Sequence, residues 1–157
     1  MKPKFIPYYM KIAKETALLS SAKKKQVGAI IVKDNRIISI GYNGMPSGWD
    51  NECETWSTDV PFYVHPDDRG IYGTYKTKPE VIHAESNAIT KLARSTESGE
   101  GADLFVTCTP CIECAKLIHQ TGIKRVYIGE SYTPNKGCGK EFLIKCGIEV
   151  YENENDI

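Results

Sequence analysis

Leu104–Gly129, "LFVTCTPCIECAKLIHQTGIKRVYIG", decides how the chain is read. Leu104–Thr107 is a short apolar run, and Arg125–Gly129 is a second one rich in β-formers. Between them Cys111–Gln120 has a helical pattern that Gly122 stops, because glycine tolerates the left-handed conformation that ends helices. Strand, helix and strand in this order predict an α/β fold in which a sheet lies between helix layers.

The same alternation continues outward. Upstream, "VGAIIVKDNRIISIGYNG" places β-branched runs at Val27–Val32 and Ile37–Tyr42 on either side of the turn cluster Lys33-Asp34-Asn35-Arg36, a hairpin signal. A helix is expected from Pro7 to about Ser20–Lys24, with Tyr9, Ala13, Thr16 and Ala17 on its apolar stripe and Ile12 and Leu19 widening it. Another should run from His83 to about Arg94. Ala84, Ala88 and Leu92 step by four there, and so do Glu85, Ile89 and Ala93. Downstream, a weaker helix over about 135–146, interrupted by Gly137 and Gly139, precedes a last strand at Ile148–Tyr151. The expected order is αββαβαβαβ. Residues 45–80 are the least regular part. They carry Trp49, Trp56, Phe62, Tyr63, Tyr72 and Tyr75, so they read as an ordered insertion within one domain spanning 1–157, not as a flexible linker.

The chain of 157 residues has 20 Lys+Arg and 20 Asp+Glu, a formal charge of zero. That balance argues against a polynucleotide partner, which usually demands a basic excess. The one basic run, Lys23–Lys25, reads either as a solvated turn or as a site for a phosphorylated small molecule. No apolar run is long enough to span a bilayer and the N-terminus lacks a signal-peptide core, so a cytoplasmic location is expected. In such a compartment six cysteines point to metal ligands, core residues or catalytic groups before disulfides.

Cys111 and Cys114 stand at i and i+3 on the first turn of one expected helix, so both sulfurs can meet one ion. Pro110 suits the entry to a helix, and the helix N-terminus favours thiolates. His83 and Glu85, in "VIHAESNA", stand at the start of the preceding helix. Consecutive helices of this layout can bring their first turns together at one sheet edge. His83, Cys111 and Cys114 then supply three ligands to Zn²⁺ and leave a fourth position for water, the pattern of a catalytic zinc. Glu85 is placed to move that water's protons. His-x-Glu followed by Pro-Cys-x-x-Cys is the pattern of zinc nucleobase deaminases.

Together "VGAIIVKDNRIISIGYNGMPSG", "HAESNAI" and "TCTPCIECAKLIHQTGIKRV" resemble the deoxycytidylate (dCMP) deaminases of the zinc-dependent cytidine/deoxycytidylate deaminase superfamily, in their phage-type form. The resemblance covers about residues 7–151 and is loose over 50–80. It implies a three-layer α/β/α sandwich with a mixed five-stranded sheet. It also implies hydrolysis of dCMP to dUMP and ammonia for thymidylate synthesis, in a homohexamer activated by dCTP with Mg²⁺ and inhibited by dTTP. It assigns Zn²⁺ to His83, Cys111 and Cys114, proton transfer to Glu85, and substrate contacts to Asn43, Ala84, Thr109 and Tyr132. Effector contacts fall at Lys24, Gly44, Ser47, Gly48 and Arg94.

The residues themselves allow plainer readings. Asn43 before Gly44 is also a common turn pair, Arg94 also suits a helix C-terminus, and Tyr132 also suits packing at a strand end. Some phage relatives hold a second zinc, but "SSAKKK" lacks the cysteine needed. Cys53 and His65 alone fall short of a closed site, so no second zinc is expected. Cys108 and Cys138 are expected in the core, and Cys146 lies among apolar neighbours. A tRNA adenosine deaminase would share the zinc residues but need a basic surface. A structural-zinc module would not need Glu85. A thiol redox protein would not need His83 and Glu85 beside its cysteines.

Overall fold

The computed structural model describes residues 1–58, 73–134 and 137–152. Helix α1 is Ile6–Ala17, entered through a 3-10 turn at Pro3–Phe5, with Pro7 in the first turn where no donor is lost. It ends at Leu18, earlier than the sequence suggests. Leu18 and Leu19 are exposed, so the stripe does not widen through Leu19. Strands β1 (Gly28–Lys33) and β2 (Arg36–Tyr42) form the expected hairpin. Asp34 and Asn35 both take positive φ (50° and 57°), the two-residue turn that matches the twist of paired strands.

The insertion is more regular than its composition implies. Strands β3 (Glu54–Ser57) and β4 (Thr74–Thr77) pair antiparallel, and the Trp56 and Tyr75 rings meet edge-on at 5.1 Å. Phe62, Tyr63, His65 and Tyr72 lie outside the described residues. Helix α2 is Ala84–Ala93, β5 is Asp103–Cys108, α3 is Ile112–Gln120 and β6 is Arg125–Glu130. Helix α4, Gly139–Lys145, starts later than expected, and β7 is Glu149–Glu152.

The sheet runs β2-β1-β5-β6-β7. Its β2-β1-β5 pairings are antiparallel and its β5-β6-β7 pairings parallel, so it is mixed. Strand periodicity assigns the faces. Ala29, Ile31, Leu104, Val106, Val126 and Ile128 point to one side, where Ala84, Ala88 and Leu92 of α2, Ala115 and Ile118 of α3, and Leu143 of α4 cover them. Ile30, Val32, Phe105 and Tyr127 point to the other, against Tyr9, Met10 and Ala13 of α1. Three layers result, α1 on one face and α2–α4 on the other. Burying side chains of this size contributes about 1.5–3 kcal/mol each. On the α1 face Phe105, Tyr127 and Tyr151 stack from strand to strand at 4.5 and 4.9 Å.

Close helix approach depends on small residues. A Cβ on Gly41 would meet the Ala84 carbonyl oxygen at 2.2 Å and the Ala88 nitrogen at 2.4 Å. Only glycine lets α2 lie this close to β2. Cys108 is buried as expected, Cys146 is half-buried, and Cys138 is exposed rather than in the core.

Candidate active site

Helices α2 and α3 begin side by side. Their cap residues, His83 (φ −71°, ψ 152°) and Cys111 (φ −73°, ψ 166°), are both extended. Neither side chain caps its own helix. The segment entering α2 is fixed by Gly44 and Ile82, which exchange two backbone hydrogen bonds of 3.1 and 2.9 Å. Asn87 binds its helix to the end of β2 by donating from Nδ2 to the Tyr42 carbonyl at 2.9 Å.

His83 Nδ1 lies 3.5 Å from Cys111 Sγ and 3.4 Å from Cys114 Sγ. The three candidate ligand atoms lie within 4.8 Å of one another. A tetrahedral zinc with bonds of about 2.3 Å to sulfur and about 2.0–2.1 Å to nitrogen requires S···N edges of roughly 3.6 Å, so the donor set fits that ion. Among the described residues this is the sole cluster of three or more such ligands. Cys53 is buried with Ala22 and Val81, and burial pushes its thiol pKa up.

A hydrogen bond between the two sulfurs, with His83 adding to it, lowers the Cys111 pKa, and the same pairing together with burial raises that of Cys114. Ser86 Oγ sits 3.5 Å from Cys114 Sγ and ties α2 to α3. Glu85 is buried beside these groups, and burial raises its carboxyl above the usual range, partly offset by hydrogen bonding. A carboxyl with a raised pKa suits a group that must both take and give a proton. Cys108, buried near Glu85, is pushed up to about 12 and is an inert core thiol.

His83, Glu85, Cys108 and Cys111 line a cleft of about 620 Å³, whose wall also includes Asn43, Ala84, Thr109 and Tyr132. The same cleft is lined by Lys24, Lys25, Lys76 and Lys78 with Glu54. A chain of zero net charge thus gathers four lysines around one cleft. Lys25 Nζ lies 4.6 Å from the Tyr132 ring centre and pairs with Glu130 at 3.1 Å. Asn43 bonds to the strand β1 entry: its Oδ1 accepts from the Val27 N–H at 2.7 Å and its Nδ2 donates to the Lys25 carbonyl at 2.9 Å. The Thr109 hydroxyl donates to Glu152 at 3.3 Å and accepts from the Tyr132 N–H at 3.0 Å.

Of the residues expected at an effector site, Lys24 lines this cleft, whereas Gly44, Ser47, Gly48 and Arg94 do not. Ser47 and Gly48 are exposed in the loop after β2, and Arg94 is the C-cap at the far end of α2. The sequence reading missed Glu54, Ser86, Lys76, Lys78 and Glu152. Ser86 carried a usable signal, standing one residue past Glu85 at the same helix start. The others carried none, because only the folding of the insertion and of β7 brings them here.

Fold and site together define a class of protein with a three-ligand candidate metal site on an α/β/α sandwich. The model of the cytidine and deoxycytidylate deaminase zinc-binding region matches residues 3–130. The deoxycytidylate deaminase of Enterobacteria phage T2 is 38% identical over 151 residues, 80% of each chain. That of Homo sapiens is 38% identical over 128 residues, 80% of this chain and 65% of its own. The dCMP deaminase of cyanophage S-TIM5, solved in complex with dCMP and dUMP, superposes with a TM-score of 0.80 at 38% identity, covering 97% of this chain and 98% of its own. The chain belongs to the cytidine and deoxycytidylate deaminase family.

Proposed function

We propose that this protein hydrolyses dCMP to dUMP and ammonia. The observation that carries the reading is the triangle of His83, Cys111 and Cys114 beside buried Glu85, at a cleft that Lys24, Lys25, Lys76 and Lys78 also line. The named activity of its phage and animal relatives supports the same substrate.

The three ligands would hold a zinc ion that supplies a water acidified from about 15.7 toward about 7. Glu85 takes one proton from the attacking water and delivers it to the cytosine ring nitrogen, then takes the proton of the new C4 hydroxyl and passes it to the amine, which leaves as ammonia while the C4 carbonyl forms. Its burial keeps that proton from leaking to solvent. The lysines around Glu54 hold the 5′-phosphate, and the phosphate in turn fixes the base over Glu85. Tyr132, held by Thr109, lines the wall beside the base.

The finer parts of the reading belong to the same proposal. The deaminase unit spans 1–157 as one domain in a cytoplasmic homohexamer, its product feeding thymidylate synthesis. dCTP with Mg²⁺ activates and dTTP inhibits, with Lys24, Gly44, Ser47, Gly48 and Arg94 as the candidate effector contacts, Arg94 standing apart from the others at the far end of α2. The test is ultraviolet assay of dCMP, dCTP, deoxycytidine and cytosine-containing single-stranded DNA, each with and without added dCTP–Mg²⁺ and dTTP. Rapid turnover confined to dCMP is expected, and turnover confined to another substrate contradicts it.

A further inference from the structure

The segment Gly137-Cys138-Gly139 carries a feature that deamination does not use. Cys138 and Cys111 form an isolated antiparallel bridge. The Ile112 N–H donates to the Gly137 carbonyl at 3.0 Å, and the Gly139 N–H donates to the Pro110 carbonyl at 2.9 Å. These bonds flank the cysteines, so Cys111 and Cys138 are a non-hydrogen-bonded pair, both with extended backbones. Directly opposed residues of that kind lie with Cα atoms about 4.5 Å apart and side chains close together. A disulfide needs a Cα separation of about 4.4–6.8 Å.

The two glycines build this approach. A Cβ on Gly139 would meet the Ala115 Cβ and the Pro110 and Cys111 carbonyl oxygens, each at 2.7 Å. Gly137 holds φ at +95°, which other residues rarely adopt. The two sulfurs differ in access. Cys138 is exposed, whereas Cys111 is buried in the candidate metal site.

We propose that Cys138 is an oxidation site that captures the metal ligand Cys111 in a reversible disulfide, with hydrogen peroxide or an organic peroxide as the oxidant. Peroxide first oxidises the exposed thiol, so that Cys138–SH and H₂O₂ give Cys138–SOH and water. The Cys111 thiolate then attacks that sulfur, forming the S–S bond and expelling hydroxide. Two electrons pass from the two sulfurs to the peroxide. Cys111 thereby leaves the ligand set, and a thiol reductant restores it. The metal-release part rests on the zinc reading of the same site; the disulfide part does not.

The test compares wild type with Cys138→Ser, an exposed and nearly isosteric change. Full-length protein, zinc-loaded and metal-stripped, is treated with hydrogen peroxide. Linkages are mapped by mass spectrometry of non-reduced peptides, and released zinc is followed with a chromogenic chelator. The expected result is a Cys111–Cys138 linkage in both wild-type forms, with zinc released and then rebound after dithiothreitol. Zinc release from Cys138→Ser should be slower by roughly tenfold, because the accessible thiol is gone. A Cys111–Cys114 linkage forming equally fast in Cys138→Ser overturns the proposal, as does Cys138 oxidised with no link to Cys111. A protein that never retains zinc but still forms the linkage contradicts the metal reading alone.

Discussion

The Nδ1 atom of His83 lies 3.4 Å from the sulfur of Cys114, although 31 residues separate them in the chain. A whole helix, the turn after it and β5 intervene. The contact exists because α2 and α3 present their first turns at the same end of the sheet, and it sets the strongest expectation for this protein.

Replacing His83 or Cys114 by alanine removes one of three ligands. Loss of a supporting partner beyond the ligands typically costs about 10–100-fold in metal affinity, so loss of a ligand should cost more than about 100-fold. Metal analysis after gel filtration should find little zinc in either variant, with turnover lost in parallel. Full zinc occupancy in His83→Ala would remove that residue from the ligand set.

Lys25 and Lys76 should act on the phosphate and not on the chemistry. A hydrogen bond to a charged group contributes about 1.5–3 kcal/mol, so alanine at either position should raise KM for dCMP by about 10–100-fold with kcat little changed. Deoxycytidine, which has no phosphate, should be turned over equally by variant and wild type. Steady-state kinetics on both substrates decides this, and an equal loss on both would assign the lysines to folding.

Gly41 carries α2, and with it His83 and Glu85, against β2. Alanine there places a methyl 2.2 Å from a backbone oxygen that cannot turn aside. Overpacking of this kind costs about 1–3 kcal/mol. Gly41→Ala should unfold at lower urea and bind zinc more weakly. An unchanged urea midpoint would mean the helix moves away freely.

Glu152 gives a pH signature. It accepts hydrogen bonds from Lys140 and Thr109, and the Lys140 partnership holds its carboxyl below the usual range. A lowered folded-state pKa means the stabilisation is complete above the unfolded value of about 4.3 and is lost as pH falls through the folded value. Glu152→Gln should therefore cost about 1–2 kcal/mol at pH 7. The gap to wild type should close on acidification toward pH 3. Thermal melts across that range check it, and a gap that is constant with pH would exclude the charge as its origin.

Much of this was legible in the chain because the informative residues are close in sequence. His83 with Glu85, and Cys111 with Cys114, each stand on one helix turn, and the β-branched runs on either side of Lys33–Arg36 mark the β1-β2 hairpin. What stayed hidden depends on distant pairing. Strands β3 and β4 are four residues each, too short for alternation to register, yet they bring Glu54 to accept from the Lys23 and Lys24 N–H groups at 3.1–3.2 Å. The pattern starts helix α4 too early because Gly137 and Gly139 read as interruptions within a helix, whereas they flank Cys138, which bridges to Cys111. Leu19 satisfied the helical spacing of α1, but the helix had already ended at Leu18.

The most direct measurement is zinc content and dCMP turnover on the same preparations of wild type and Glu85→Gln. Glutamine keeps the shape of the side chain but cannot carry the proton. The account predicts one zinc per chain in both proteins and a loss of turnover in the variant of at least about 100–10,000-fold, the span of general acid–base catalysis. A Glu85→Gln protein that retains zinc and deaminates dCMP at close to the wild-type rate would contradict it.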